Sequence, residues 1–109
     1  MVKEQKENGE EKAIKTVYDG LAGPESVPVK LRLGKGLDKK MFSDVTKSLT
    51  FLIEQWKGKK EVPKAIAAAF VDIQGAMMQG YDTYPPKEQD AIEDAANTLV
   101  ELALTLLEE

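Results

Sequence analysis

The chain has 109 residues, carries a formal net charge of −4 at pH 7 and contains neither cysteine nor histidine. These absences exclude a disulfide framework and a thiolate metal site, and they remove the commonest general base and the commonest transition-metal ligand. Because the N-terminal stretch is polar and no apolar run is long enough to cross a bilayer, we expect a cytoplasmic protein without membrane contacts. We expect no cofactor, because the sequence contains neither a phosphate-binding loop nor a metal-ligand motif.

Charge is distributed unevenly along the sequence. Residues 1–29 carry a net charge of −2, residues 30–64 a net charge of +6 and residues 65–109 a net charge of −8. A basic middle and an acidic C-terminal part attract each other, either within one molecule or between two copies.

The first nine residues are charged and predict a disordered tail, which leaves residues 10–109 as a single folded domain. From Glu10 onward, apolar side chains recur at helical spacing as far as Leu21, before glycine and proline end the pattern. The pattern predicts a short N-terminal helix that needs tertiary contacts for its stability.

Residues 24–37 are open to three interpretations. Ser26 followed by Pro28 suits the start of a short helix that ends at Gly34. Alternating apolar residues fit instead an extended segment packed on the bundle, or a strand that pairs with a second copy of the chain. We favour the short helix and describe the segment as irregular.

Two long helices are predicted next. Asp38 is a suitable N-cap for a helix over residues 38–57, whose apolar side chains form one stripe. The least polar stretch of the chain predicts a helix over residues 63–80, with Pro63 in its first turn and Gly80 at its C-terminal cap. Apolar and small residues on several sides of this second helix predict that it lies buried in the middle of the bundle.

The last predicted helix covers residues 86–108 and has more apolar surface than one core contact requires. Beside its main stripe it carries a second stripe of Val100, Leu104 and Leu107. An apolar stripe of this kind is typical of a helix that contacts a partner on its outer side. Val100, Leu104 and Leu107 are therefore the first candidate interface.

Together these elements predict an all-α protein. We expect a small antiparallel helical bundle of three long helices and a short N-terminal helix, because short loops make consecutive helices antiparallel.

One acidic residue and one group of lysines are candidate sites. Asp72 lies between apolar residues of the predicted central helix, so it is a candidate buried carboxylate, although it could also emerge at an edge of the bundle. A candidate basic patch contains Lys57, Lys59, Lys60 and Lys64. The net acidic chain lacks aromatic residues among these lysines, so we do not expect nucleic-acid binding.

The loop between the last two predicted helices contains Tyr81 and Tyr84, followed by two prolines. Rigid aromatic loops often contact partners, so both tyrosines are further interface candidates, and the same rings could equally cover the end of the bundle.

We find no catalytic constellation in the sequence and expect a non-catalytic protein that binds itself or another protein. One alternative is a carrier of a small apolar ligand in a pocket beside Trp56, Phe70 and Met77. Another alternative is an acidic neutraliser of a basic partner, acting through residues 88–101. We recognise no family in the sequence. Small acidic helical bundles of this length occur among bacteriocin immunity proteins and many other groups, and that similarity is one of architecture alone.

Overall fold

The computed structural model describes the backbone of residues 2–108 and the side chains of residues 9–108. These residues form six α-helices and one 3-10 turn and contain no strand, so the predicted all-α fold is confirmed. The elements in chain order are α1 (Val2–Ala22), α2 (Val27–Arg32), α3 (Lys39–Gln55), α4 (Lys64–Phe70), α5 (Ile73–Met78), the 3-10 turn Tyr81–Thr83 and α6 (Pro86–Glu108).

The helices enclose one continuous apolar core. Helix α1 packs against α3 and also contacts α4 and α2, while α6 packs against α3 and α5, and α2 contacts α5. Every one of the six helices contributes buried side chains to this core, among them Val17, Leu31, Leu49, Ile66, Met77 and Leu99. Helices α1, α3 and α6 are the three long helices and form the frame of the molecule.

The backbone of α1 begins at Val2, which corrects the predicted start at Glu10. Lysine, glutamate and glutamine have good intrinsic helix propensity, so a charged stretch can continue a helix that the core already holds. Met1 and the side chains of residues 1–8 lie outside the described residues. The disordered tail over residues 1–9 and the single domain over residues 10–109 therefore stay predictions.

The prediction of a single buried helix over residues 63–80 is wrong. The helix is interrupted at Val71 and Asp72, where Asp72 adopts φ −141° and ψ 48°. Two short helices of seven and six residues result. One face is buried, through Ile66, Ala69, Ile73 and Met77, while much of the opposite side is exposed. This pair of helices therefore lies at the edge of the bundle rather than in its middle.

Residues 24–37 contain the short helix α2, which agrees with the favoured interpretation and excludes a strand. The Ser26 hydroxyl accepts a hydrogen bond from the Val29 N–H at 3.4 Å, with Pro28 in the first turn. Gly34 follows the helix with φ 80°, a left-handed conformation that glycine adopts easily. Tyr84 holds the segment in place, because its hydroxyl donates to the Leu31 carbonyl oxygen at 2.7 Å.

The other long helices agree closely with their predicted bounds. Asp38 is the N-cap of α3, and its side chain accepts a hydrogen bond from the Met41 N–H at 3.0 Å. Helix α3 ends at Gln55, two residues before the predicted end, and α6 covers the predicted range.

Candidate functional site

An open groove on the surface brings together the second apolar stripe of α6 and the break between α4 and α5. Its volume is about 260 Å³. One wall is formed by the end of α4, the break and the start of α5, and the other by the C-terminal half of α6. The lining residues are Phe70, Val71, Asp72, Ile73, Gln74, Val100, Ala103, Leu104 and Leu107. We call this feature the α6 groove.

Large apolar side chains in the α6 groove are exposed to an unusual degree. Val71 is 82% exposed, Leu104 48% and Leu107 50%, and these are three of the six most exposed large apolar residues among those described. Phe70 and Val100 are half-buried in the same groove. Single exposed apolar residues are ordinary, whereas a contiguous group of them marks a contact surface.

The sequence places these side chains together for two local reasons. In α6, Leu99, Ala103 and Leu106 lie in the core, and the helical period sets Leu104 and Leu107 on the adjacent outer side. On the opposite wall, Val71 lies at the break and is exposed, because it stands outside the face that Ile66, Ile73 and Met77 bury. Sequence reasoning missed Val71 because it placed this helix in the middle of the bundle and counted Val71 as part of its buried surface.

The charged residues at the α6 groove are all acidic. Asp72 lines the groove. Glu101 and Glu108 are both exposed. Glu101 precedes Leu104 by three residues and Glu108 follows it by four, so both lie on the same side of α6 as Leu104. Among the residues whose side chains are described, no lysine or arginine lines the groove. An apolar surface with an acidic rim results, and it can recognise apolar and cationic groups together.

Asp72 is not a buried carboxylate, and its position agrees with the alternative that it emerges at an edge of the bundle. Its side chain is exposed, because the break places it at the edge of the bundle. The carboxylate lies directly over the backbone of Gly75, where a Cβ atom would clash with it. Asp72 therefore belongs to the rim of the α6 groove.

Tyr81 and Tyr84 are half-buried and hold parts of the molecule together through their hydroxyl groups. The Tyr84 hydroxyl accepts a hydrogen bond from the Gly36 N–H at 3.1 Å in addition to the one it donates. The Tyr81 hydroxyl donates to Glu93 Oε1 at 2.7 Å, and this bond to a carboxylate raises the pKa of Tyr81 above its usual value. Neither tyrosine lines the α6 groove.

The candidate basic patch lies on the connection between α3 and α4. Lys57, Lys59, Lys60 and Lys64 are all exposed. None of the ion pairs within residues 9–108 involves these four side chains. The patch is therefore a solvated cationic loop.

A ligand pocket beside Trp56, Phe70 and Met77 does not emerge from the described side chains. Met77 is fully buried, and Trp56 is 4% exposed with its indole N–H donating to Glu10 Oε1 at 3.0 Å. Neither residue lines any of the four grooves described for this surface, and Phe70 lines only the α6 groove.

Another groove, of about 560 Å³, lies between α1 and α3 and was not foreseen from the sequence. Lys12, Lys40 and Lys47 line it together with Asp44 and the partly exposed ring of Phe51. Lys40 pairs with Asp44 at 3.3 Å. The charges in this groove are mixed, and Phe51 is the one exposed large apolar residue in its described lining, whereas the α6 groove has three.

Among the described residues, no group of three acidic side chains lies close enough together to hold a metal ion. A search of the same residues for a helix with the length and apolar character to span a membrane found none.

Comparisons of the chain with protein-family models, with curated proteins and with solved structures found no match.

Proposed function

We propose that this chain is a non-catalytic cytoplasmic interaction module that binds a protein partner through the α6 groove. The observation that carries the proposal is the joint exposure of Val71, Leu104 and Leu107 on the two walls of one groove. At roughly 25 cal/mol per Å² of apolar surface, covering such a group of side chains is a substantial driving force for association.

A second copy of the chain is one candidate partner. The uneven charge favours it in part, because residues 30–64 are basic and residues 65–109 are acidic, so one copy can attract another.

Photo-crosslinking inside the cell tests the proposal. A benzophenone amino acid in place of Val71 is expected to form an adduct with one discrete polypeptide. The substitution Leu104→Glu should abolish that adduct, because a carboxylate on the facing wall cannot be buried against an apolar partner without a large desolvation penalty. Gel mobility and mass spectrometry identify the adduct.

Leu33→Glu is the matched control, because Leu33 is 62% exposed and lies outside the groove. It should leave the adduct intact, and circular dichroism should show the same helix content in both variants. Light scattering over a concentration series then separates a second copy from a different partner. The benzophenone amino acid is also placed at position 33 for comparison. If its adduct yield at position 71 is no greater than at position 33, the proposed function is refuted.

A further inference from the structure

We propose that the occupant of the α6 groove is a cationic amphipathic helix of another protein, with apolar side chains in the groove and lysine or arginine side chains on its acidic rim. This inference rests on the proposed function and adds the chemistry of the partner. The juxtaposition that carries it is an apolar groove bordered by Asp72, Glu101 and Glu108.

A helix suits the shape of the surface. Val100, Leu104 and Leu107 are spaced by four and three residues, so they form a ridge along α6, and the break between α4 and α5 forms the facing wall. Apolar side chains of a second helix, themselves spaced by three and four residues, can pack between such ridges.

The rim determines which helix fits. Both walls belong to residues 65–109, in which Lys87 is the single basic residue against nine acids. Lys87 lies 17 residues before Leu104 on α6, about 25 Å away along the helix axis. Lys64 is the nearest lysine on the other wall, about 10 Å from Val71 along α4. Within the described lining of the groove, no lysine or arginine offsets the acids on the rim, and cationic groups of a partner can do so.

A second copy fits this surface less well. In a symmetric contact through the groove, the acidic rim of one copy would face the same acids of the other, and like charges placed opposite each other oppose binding. The cationic stretch of the chain, residues 57–64, has Val62 as its only large apolar residue, and Val62 is partly buried against the core. Residues 57–64 thus do not combine their cationic side chains with exposed large apolar ones at helical spacing.

Two synthetic peptides test the inference by fluorescence anisotropy on the full chain. Both are helices of about five turns with leucines spaced by three and four residues, and their polar faces consist of lysine in one peptide and of glutamate in the other. We expect the lysine peptide to bind at least about tenfold more tightly at low salt, and we expect its advantage to shrink as salt screens the rim.

Two triple variants that remove the same number of negative charges separate the rim from the general acidity of the chain. Asp72→Asn with Glu101→Gln and Glu108→Gln should weaken binding of the lysine peptide about tenfold, because each exposed ion pair changes binding about twofold. The control variant, Glu88→Gln with Asp90→Asn and Asp94→Asn, neutralises three exposed acids toward the other end of α6. Because these acids lie away from the groove, we expect the affinity for the lysine peptide to change by less than about twofold.

Leu104→Gln keeps the charge of the chain and removes an apolar side chain from the groove. It should weaken both peptides, whereas Leu33→Gln should weaken neither. If both peptides depend on Leu104 but bind equally well, the cationic partner is refuted and the groove stays an interaction surface. If neither depends on Leu104, the proposed function fails as well. If the two triple variants weaken the lysine peptide equally, binding follows overall charge and the rim plays no special part.

Discussion

Asp38 combines two interactions at the start of α3. Its Oδ1 atom accepts a hydrogen bond from the Met41 N–H, and its Oδ2 atom accepts one from the Lys30 ammonium group at 2.7 Å. The Lys30 bond, and after it the Met41 bond, hold the pKa of Asp38 below its usual value of 3.8. Asp38 thus caps one helix and fastens it to α2.

Asp38→Asn should separate these two interactions, because asparagine keeps an oxygen for the cap and loses the charge. We expect a loss of about 1 kcal/mol in the free energy of unfolding at neutral pH, and about 2 kcal/mol for Asp38→Ala, which removes the cap as well. Urea unfolding followed by circular dichroism measures both values.

The pH dependence has a definite sign. A carboxyl group with a lowered pKa in the folded state stabilises the fold above its unfolded pKa, and the stabilisation disappears as pH falls through the folded pKa. The difference between the wild-type protein and Asp38→Asn should therefore be full above about pH 5 and should shrink below about pH 4. A difference that does not change with pH would show that the Lys30 pair contributes nothing.

At the scale of elements, a glycine sets the distance between α1 and α3. Gly20 is buried on the face of α1 that meets α3, and a Cβ atom there would clash with the Val45 side chain. Small residues allow two helix backbones to approach, and added volume in a packed core forces a backbone shift.

Gly20→Ala should therefore lower the free energy of unfolding by about 1–3 kcal/mol, even though alanine is the better helix former. Gly9→Ala, in the same helix, is the matched control. A Cβ atom at Gly9 would lie 3.7 Å from Phe51 Cζ, an ordinary contact, so this change should raise the free energy of unfolding by about 0.5–1 kcal/mol. Equal signs for the two variants would contradict the close approach.

Elements were predictable from the sequence where a local rule determines them. Asp38 as an N-cap and proline at the start of α6 fix helix ends through chemistry visible in the sequence. The break at Val71 and Asp72 was not predictable, because Ile66, Ile73 and Met77 keep helical spacing across it. Periodicity reports which face is buried and does not report whether the backbone is continuous. The α6 groove was therefore only half visible in the sequence, through its α6 wall.

At the scale of the whole molecule, the charge division is not used for direct pairing. The ion pairs within residues 9–108 are Lys15–Asp19, Lys30–Asp38 and Lys40–Asp44, and none of them joins the basic middle to the acidic C-terminal part. Attraction between these parts acts through solvent within one molecule, where salt screens it readily.

The stability of the fold should accordingly depend little on salt. Between about 0.05 M and 0.5 M sodium chloride, we expect the free energy of unfolding to change by less than about 1 kcal/mol. Urea unfolding at several salt concentrations measures the change. A loss of several kcal/mol would mean that attraction between the two parts holds the fold together.

The two walls of the α6 groove differ in helix length and in the number of buried side chains that hold each helix in place. Helix α6 is 23 residues long and rests on six buried side chains. Its opposite wall joins helices of seven and six residues, with two buried side chains each. Helices this short depend on their neighbours for stability, and segments with few buried contacts open at lower free energy than the rest of a fold. The α6 wall is therefore the more stable of the two, and the wall formed by α4 and α5 is the more easily displaced. We expect a bound partner to change the width of the groove by moving α4 and α5, while α1, α3 and α6 keep their positions.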